Sequence, residues 1–84
     1  MSDRGTIISL INKPFSVHGY EAHVIGYLLV ANRTFVAVEL DFSTRPFAVF
    51  ELMPDGSFDH VVLLTYRFDA FEILNHRVSR ILFR

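Results

Sequence analysis

Three short apolar runs follow one another between Thr34 and Tyr66, each closed by residues that break strands. In Thr34–Phe42, Val36, Val38, Leu40 and Phe42 fall on one side and Ala37, Glu39 and Asp41 alternate with them. A repeat of two marks a strand, because successive side chains leave a pleated backbone on opposite faces. The alternation predicts a half-buried strand with Glu39 and Asp41 on its wet side. Ser43-Thr44-Arg45 interrupts the pattern, and Phe47–Met53 resumes it with Ala48, Phe50 and Leu52 on one side and Phe47, Val49 and Glu51 on the other. Both sides are largely apolar, which suits a central or doubly covered strand. Pro54-Asp55-Gly56 then reads as a tight turn: proline presets φ, aspartate bonds its own backbone, and glycine takes the left-handed position. Phe58–Tyr66 is the third run. Connections this short join antiparallel neighbours, since a parallel return needs a dozen or more residues. The middle of the chain is thereby restricted to a meander.

A change of period follows. Asp69 stands as a candidate N-cap with Glu72 three residues later, the spacing of a capping box, and Phe68 and Ile73 are placed for a hydrophobic staple. Phe71, Leu74 and Val78 recur at helical spacing, which predicts a helix from about Ala70 to Val78. Ser79–Arg84 fits either its continuation, with Leu82 extending the stripe, or a short strand with Ile81 and Phe83 on one side. Before the meander, Thr6–Ile11 reads as a strand ended by Asn12-Lys13-Pro14. His23–Ala31 is a continuous apolar run, compatible with a strand or a buried helix. The strand is preferred because its length matches Thr34–Phe42, with Asn32-Arg33 as the hairpin turn. The helical alternative would place Asn32 just past its end.

The fold expected is α+β: one domain over residues 1–84, a four- to five-stranded antiparallel meander sheet, and one C-terminal helix packed on one face. The sheet's other face, or an edge strand, is the expected contact surface. A chain of 84 residues has material for one core. It hides only roughly 60–65% of the surface its unfolded form exposes. With 51% hydrophobic residues and nine Phe, apolar surface is expected to remain outside and to meet other proteins, including copies of the chain itself.

Charge and cysteine usage exclude several classes. The net charge is −1, from seven Arg, one Lys and nine acids. Up to Tyr66 four cations face seven acids, and from Arg67 onward four cations face two acids, an acidic body with a basic tail. That balance argues against a protein that coats phosphate backbones. No Cys means no disulfide framework, no cysteine-bound zinc and no thiol nucleophile. The N-terminus lacks the basic and apolar regions of a signal peptide, and the longest apolar run, Val24–Ala31, is eight residues against the ~20 needed to span a bilayer. A cytoplasmic protein with no membrane contact is expected.

No cofactor and no metal are expected. His18 and His23 flank Glu21 but lie across Gly19, and His60 and His76 are distant, so no four-ligand set emerges. Ser9, Ser16, Ser43, Ser57 and Ser79 lack a nucleophile elbow, and the four Gly are too scattered for a phosphate loop. Glu39, Asp41, Glu51 and Asp59 on neighbouring strands form the one candidate carboxylate constellation, but acids alternating with core residues are what a solvated strand face looks like. An enzyme is not expected.

The function expected is therefore a small non-enzymatic protein-binding module that occludes a surface on a larger protein or complex. A phage or mobile-element inhibitor of host machinery, of the anti-CRISPR or another counter-defence kind, is the form such a module takes. Glu39, Asp41, Glu51 and Asp59 would imitate nucleic-acid phosphates against a basic groove. Nine Phe, three Tyr, seven Arg and one Lys follow the composition of protein interfaces. The alternative is a dimeric nucleic-acid-binding regulator using Arg77, Arg80 and Arg84, spaced as one helical stripe, with Phe35, Phe47 or Tyr66 as stacking platforms.

Overall fold

The meander extends to five strands among the residues that the computed structural model describes, 9–83. β1 (Phe15–Val17), β2 (Tyr20–Val30), β3 (Arg33–Leu40), β4 (Phe47–Leu52) and β5 (Phe58–Leu64) pair in sequence order, every neighbour antiparallel. One helix, α1 (Arg67–Leu82), follows them. This is the expected α+β domain. Residues 9–12, however, are helical where a strand was expected, while residues 6–8 of that run lie outside the described residues. The Lys13 N–H donates to the Ser9 carbonyl at 3.0 Å, closing a helical turn, and Pro14 stops it because proline disfavours helix in the residue before it.

The ambiguous run His23–Ala31 belongs to β2, and its hairpin turn is Ala31-Asn32, one residue earlier than expected. Both residues have positive φ (51° and 62°), the geometry of the two-residue turn whose twist matches that of the flanking strands. Arg33 thereby pairs with Val30 at the start of β3. A slip of one residue reverses every side chain, so this turn decides which face Arg33 occupies. The β4–β5 turn is as expected. Gly56 takes φ +88°, its N–H donates to the Met53 carbonyl at 2.9 Å, and the Ser57 N–H and hydroxyl donate to Asp55 Oδ1 at 2.9 and 2.6 Å.

β3 is not half-buried as its alternation suggested. Phe35 and Ala37 join Val49 beneath Ala70 and Leu74 of α1, while Val36, Val38 and Leu40 join Ala48, Phe50 and Leu52 in a second core on the opposite face. That opposite face is therefore not the free contact surface expected of it. The sheet curls until its outermost strands meet: the Phe15 ring of β1 lies 5.9 Å from Phe58 of β5, edge-on, and Phe58 lies 4.4 Å from Phe50. Phe42 was expected on the core side but is fully exposed, because β3 ends at Leu40 and the backbone at Phe42 turns to φ +63°. On the helix side, a Cβ on Gly26 would meet Phe71 Cε1 at 3.1 Å, so α1 sits closer to β2 than a side chain there would allow.

The helix is longer than its sequence signals suggested. It starts at Arg67 with an extended Tyr66 as cap and no side-chain capping bond, which leaves Asp69 inside the first turn. The capping box is thus not formed, though a carboxylate there still complements the positive end of the helix dipole. Phe68 remains exposed, so the staple is absent as well. At the other end the helix absorbs residues 79–82 as continuation and not strand, with the Phe83 N–H donating to the Ser79 carbonyl at 2.8 Å. Ile81 packs into the helix-side core, which fixes the last turn against the sheet. Among the described residues, no helix is long and apolar enough to cross a membrane.

Candidate functional site

The register separates the four carboxylates into two pairs. Glu39 lies opposite His23 and Phe47, whereas Glu51 lies opposite Phe35 and Asp59. Phe35 and Glu39 are four residues apart on β3, so the pairs stand about 13 Å apart at opposite ends of the sheet. Each pair has its own basic partners. At one end Arg67 Nη2 donates to Glu39 Oε1 at 3.3 Å, and His23 Nε2 lies 2.9 Å from Asp41 Oδ2. At the other end Arg33 grips Glu51 in a bidentate pair at 2.9 and 2.8 Å, and His60 lies 3.6 Å from Asp59. Glu39 and Glu51 share the helix-side face of the sheet, but the four acids stand as two separated pairs, each beside its own basic partner, and not as one cluster.

The Glu51 end is a groove of about 780 Å³ between the strand ends and the last turns of α1, lined by Arg33, Phe35, Glu51, His60, Arg77, Arg80, Ile81 and Phe83. Glu51 is its most buried charge, with a side chain only 8% exposed. The hydrogen bonds from Arg33 hold its carboxyl below the ordinary range, against the upward push of burial, and Arg33 is raised in turn by the same bonds. A β-bulge shapes the rim. β5 carries one extra residue between the pairs Val49–Val62 and Glu51–Asp59, and His60 takes φ +53° there. Bulges re-aim backbone groups. Here the His60 carbonyl accepts from Arg77 Nη2 at 2.7 Å. Arg77 Nη1 is inaccessible to solvent and has no acceptor among the described residues, and burial lowers the Arg77 pKa. Arg80 is exposed on the next turn of α1 and forms no ion pair with a described residue. Arg84 lies outside the described residues. The helical stripe read from the sequence therefore splits: Arg77 is committed to the sheet, and Arg80 stands beside it over the groove.

The opposite end carries exposed aromatic surface. Phe42 on the β3–β4 turn is 101% exposed, and Tyr66 and Phe68 at the β5–α1 junction are 68% and 70% exposed. β3 and β5 are two strand positions apart, about 10 Å. Arg67 lies between these aromatics in sequence, 5.6 Å from the Phe47 ring centroid, and bonds Glu39. Beside this rim, ligand atoms of Glu21, His23 and Asp41 lie within 4.8 Å of one another. His23 is drawn to both carboxylates, and the Asp41 hydrogen bond, followed by the Asp41 charge, raises its pKa. Glu21 and His23 are neighbours along the chain, whereas Asp41, named above only among the strand carboxylates, is not. Asp41 arrives because its N–H donates to the Glu21 carbonyl at 2.9 Å, a contact made only once β2 and β3 are paired. Arg33, absent from the sequence candidates, was concealed by the uncertain hairpin register. No protein-family model, curated protein or solved structure matches the chain.

Proposed function

We propose that this chain is a small non-enzymatic protein-binding module that acts by covering a surface on a larger protein, as an inhibitor of the counter-defence kind does. The observation that carries the reading is the rim of Phe42, Tyr66 and Phe68, three aromatic side chains left outside at one end of a domain whose two sheet faces are already filled. Interfaces concentrate their energy in a few aromatic and Arg anchors ringed by polar groups, and Arg67, Glu39, His23 and Asp41 supply such a ring here. The state of the carboxylates supports a binding role over acid–base chemistry. A general acid or base near neutral pH needs a pKa close to 7, and Arg33 moves Glu51 in the opposite direction.

The test is affinity capture with the tagged chain and a Phe42→Ala, Phe68→Ala double variant, both treated with nuclease. Substitutions at exposed positions outside the core shift stability by about 0.5 kcal/mol or less, so the fold remains. One stoichiometric protein captured by the parent and lost by the variant is the expected result. A parent that captures nothing, or a variant that captures the same partner equally well, overturns the reading.

A further inference from the structure

We infer that the groove between β3, β4, β5 and the last turns of α1 binds a phosphomonoester with an apolar or aromatic body, such as a mononucleotide, its phosphate held by Arg77 and Arg80. The inference is independent of the aromatic rim, which lies at the other end of the sheet.

Charge is the first support. Among the lining residues Arg33, Arg77 and Arg80 contribute three guanidiniums and Glu51 one carboxylate, a surplus of about two positive charges counting Arg and Glu alone, with the Asp59 carboxylate outside the lining, 3.6 Å from His60. Arg33 is spoken for by its bidentate bond to Glu51, so the surplus belongs to Arg77 and Arg80. A phosphomonoester carries about −1.5 to −2 at neutral pH and matches that surplus. Glu51 does not repel it strongly, because its charge is already neutralised at 2.8 Å.

Donor geometry is the second. Guanidinium groups recognise phosphate oxygens through paired N–H donors, and Arg77 and Arg80 are one turn apart on the same helix. Arg77 Nη1 is a buried donor without an acceptor among the described residues, an arrangement that costs free energy unless something accepts from it. Arg80 can follow the ligand, since it is exposed and forms no ion pair with a described residue.

The walls are the third. Ile81 and the 81% exposed Phe83 offer an apolar flank next to the guanidiniums, and Phe35 forms part of the lining beneath Arg33, whose guanidinium carbon is 5.1 Å from the ring centroid. At about 780 Å³ the groove falls within the size of small-molecule sites, larger than a bare phosphate needs.

The phosphomonoester has two sources, a free mononucleotide or the 5′ end of a nucleic-acid strand. Isothermal titration of the full chain with AMP, adenosine, inorganic phosphate, and a short oligonucleotide with either a 5′-phosphate or a 5′-hydroxyl separates them. AMP is expected to bind more tightly than adenosine or inorganic phosphate, and Arg80→Ala, at an exposed position, to weaken it by about tenfold or more, the worth of a charged hydrogen bond. AMP binding without either oligonucleotide identifies a free nucleotide. Added binding of the 5′-phosphorylated strand alone identifies a strand end. No AMP binding at millimolar concentration overturns the inference, as does AMP affinity unchanged in Arg80→Ala. Adenosine or inorganic phosphate binding as tightly as AMP overturns it too. Equal binding of the two oligonucleotides also overturns it, since the groove would then be reading the strand and not its terminal phosphate.

Discussion

Removing the Arg33 guanidinium tests the account of the groove most directly. Arg33→Met keeps the alkyl stem that packs beside Phe35 and deletes both bonds to Glu51. Breaking a fully buried ion pair costs about 3–5 kcal/mol, whereas an exposed pair is worth about 0–1. The Glu51 side chain is 8% exposed but that of Arg33 is 43% exposed, so water screens one partner. A loss of about 2 kcal/mol at pH 7 lies between those limits, and corresponds to roughly 10 °C in Tm for a domain of this size. The pH dependence carries the diagnosis. Glu51 has a lowered pKa when folded, so its contribution is present above its unfolded value near 4.3 and fades as pH falls through the folded one. Without Arg33, burial becomes the largest influence on Glu51 and the contribution is lost. Parent and variant should thus differ most at pH 7 and converge toward pH 3.5 in urea unfolding followed by circular dichroism. Adding Glu51→Gln to Arg33→Met should restore much of the loss at pH 7, because it removes the stranded charge. A gap equally wide at pH 3.5, or a double variant as unstable as the single one at pH 7, would refute the reasoning.

Two further outcomes are expected. Thr34 is fully buried, and its hydroxyl has no hydrogen-bond partner among the described residues, so Thr34→Val should stabilise the fold by about 1 kcal/mol; a lower Tm for this variant would show that the hydroxyl is satisfied after all. His23 is raised above 6.5, first by its hydrogen bond to Asp41, so its contribution to stability is complete below pH 6.5 and fades as pH rises through the folded value. In Asp41→Asn the His23 midpoint, followed by NMR of the ring protons, should move down toward the ordinary value, and an unchanged midpoint would remove Asp41 as the cause.

The strands from Thr34 to Tyr66 were legible because their information is local. Alternation, Pro54-Asp55-Gly56 and short connections act within a few residues, and the same holds for the apolar stripe of Phe71, Leu74 and Val78. Element ends were less so. The helix begins at Arg67, before its capping signals, and continues through Ile81 because packing against the sheet stabilises turns that local propensity does not specify. Phe42 obeyed the alternation yet fell outside it, since nothing local announces where a ladder stops.

Local pattern and composition were enough for an antiparallel meander followed by a helix, an acidic body with a basic end, and an excess of aromatic side chains. What those residues form together followed from strand pairing and packing. Curling of the sheet brought Phe15 to Phe58 and filled the face expected to be free. The Ala31-Asn32 turn and the His60 bulge set the register that joins Arg33 to Glu51 and Arg77 to the β5 backbone. Both contacts span seventeen or eighteen residues of sequence, and a one-residue change in either hairpin would turn the side chains to the opposite face. A site assembled by register cannot be read from composition or spacing, because its geometry exists only after the strands have paired.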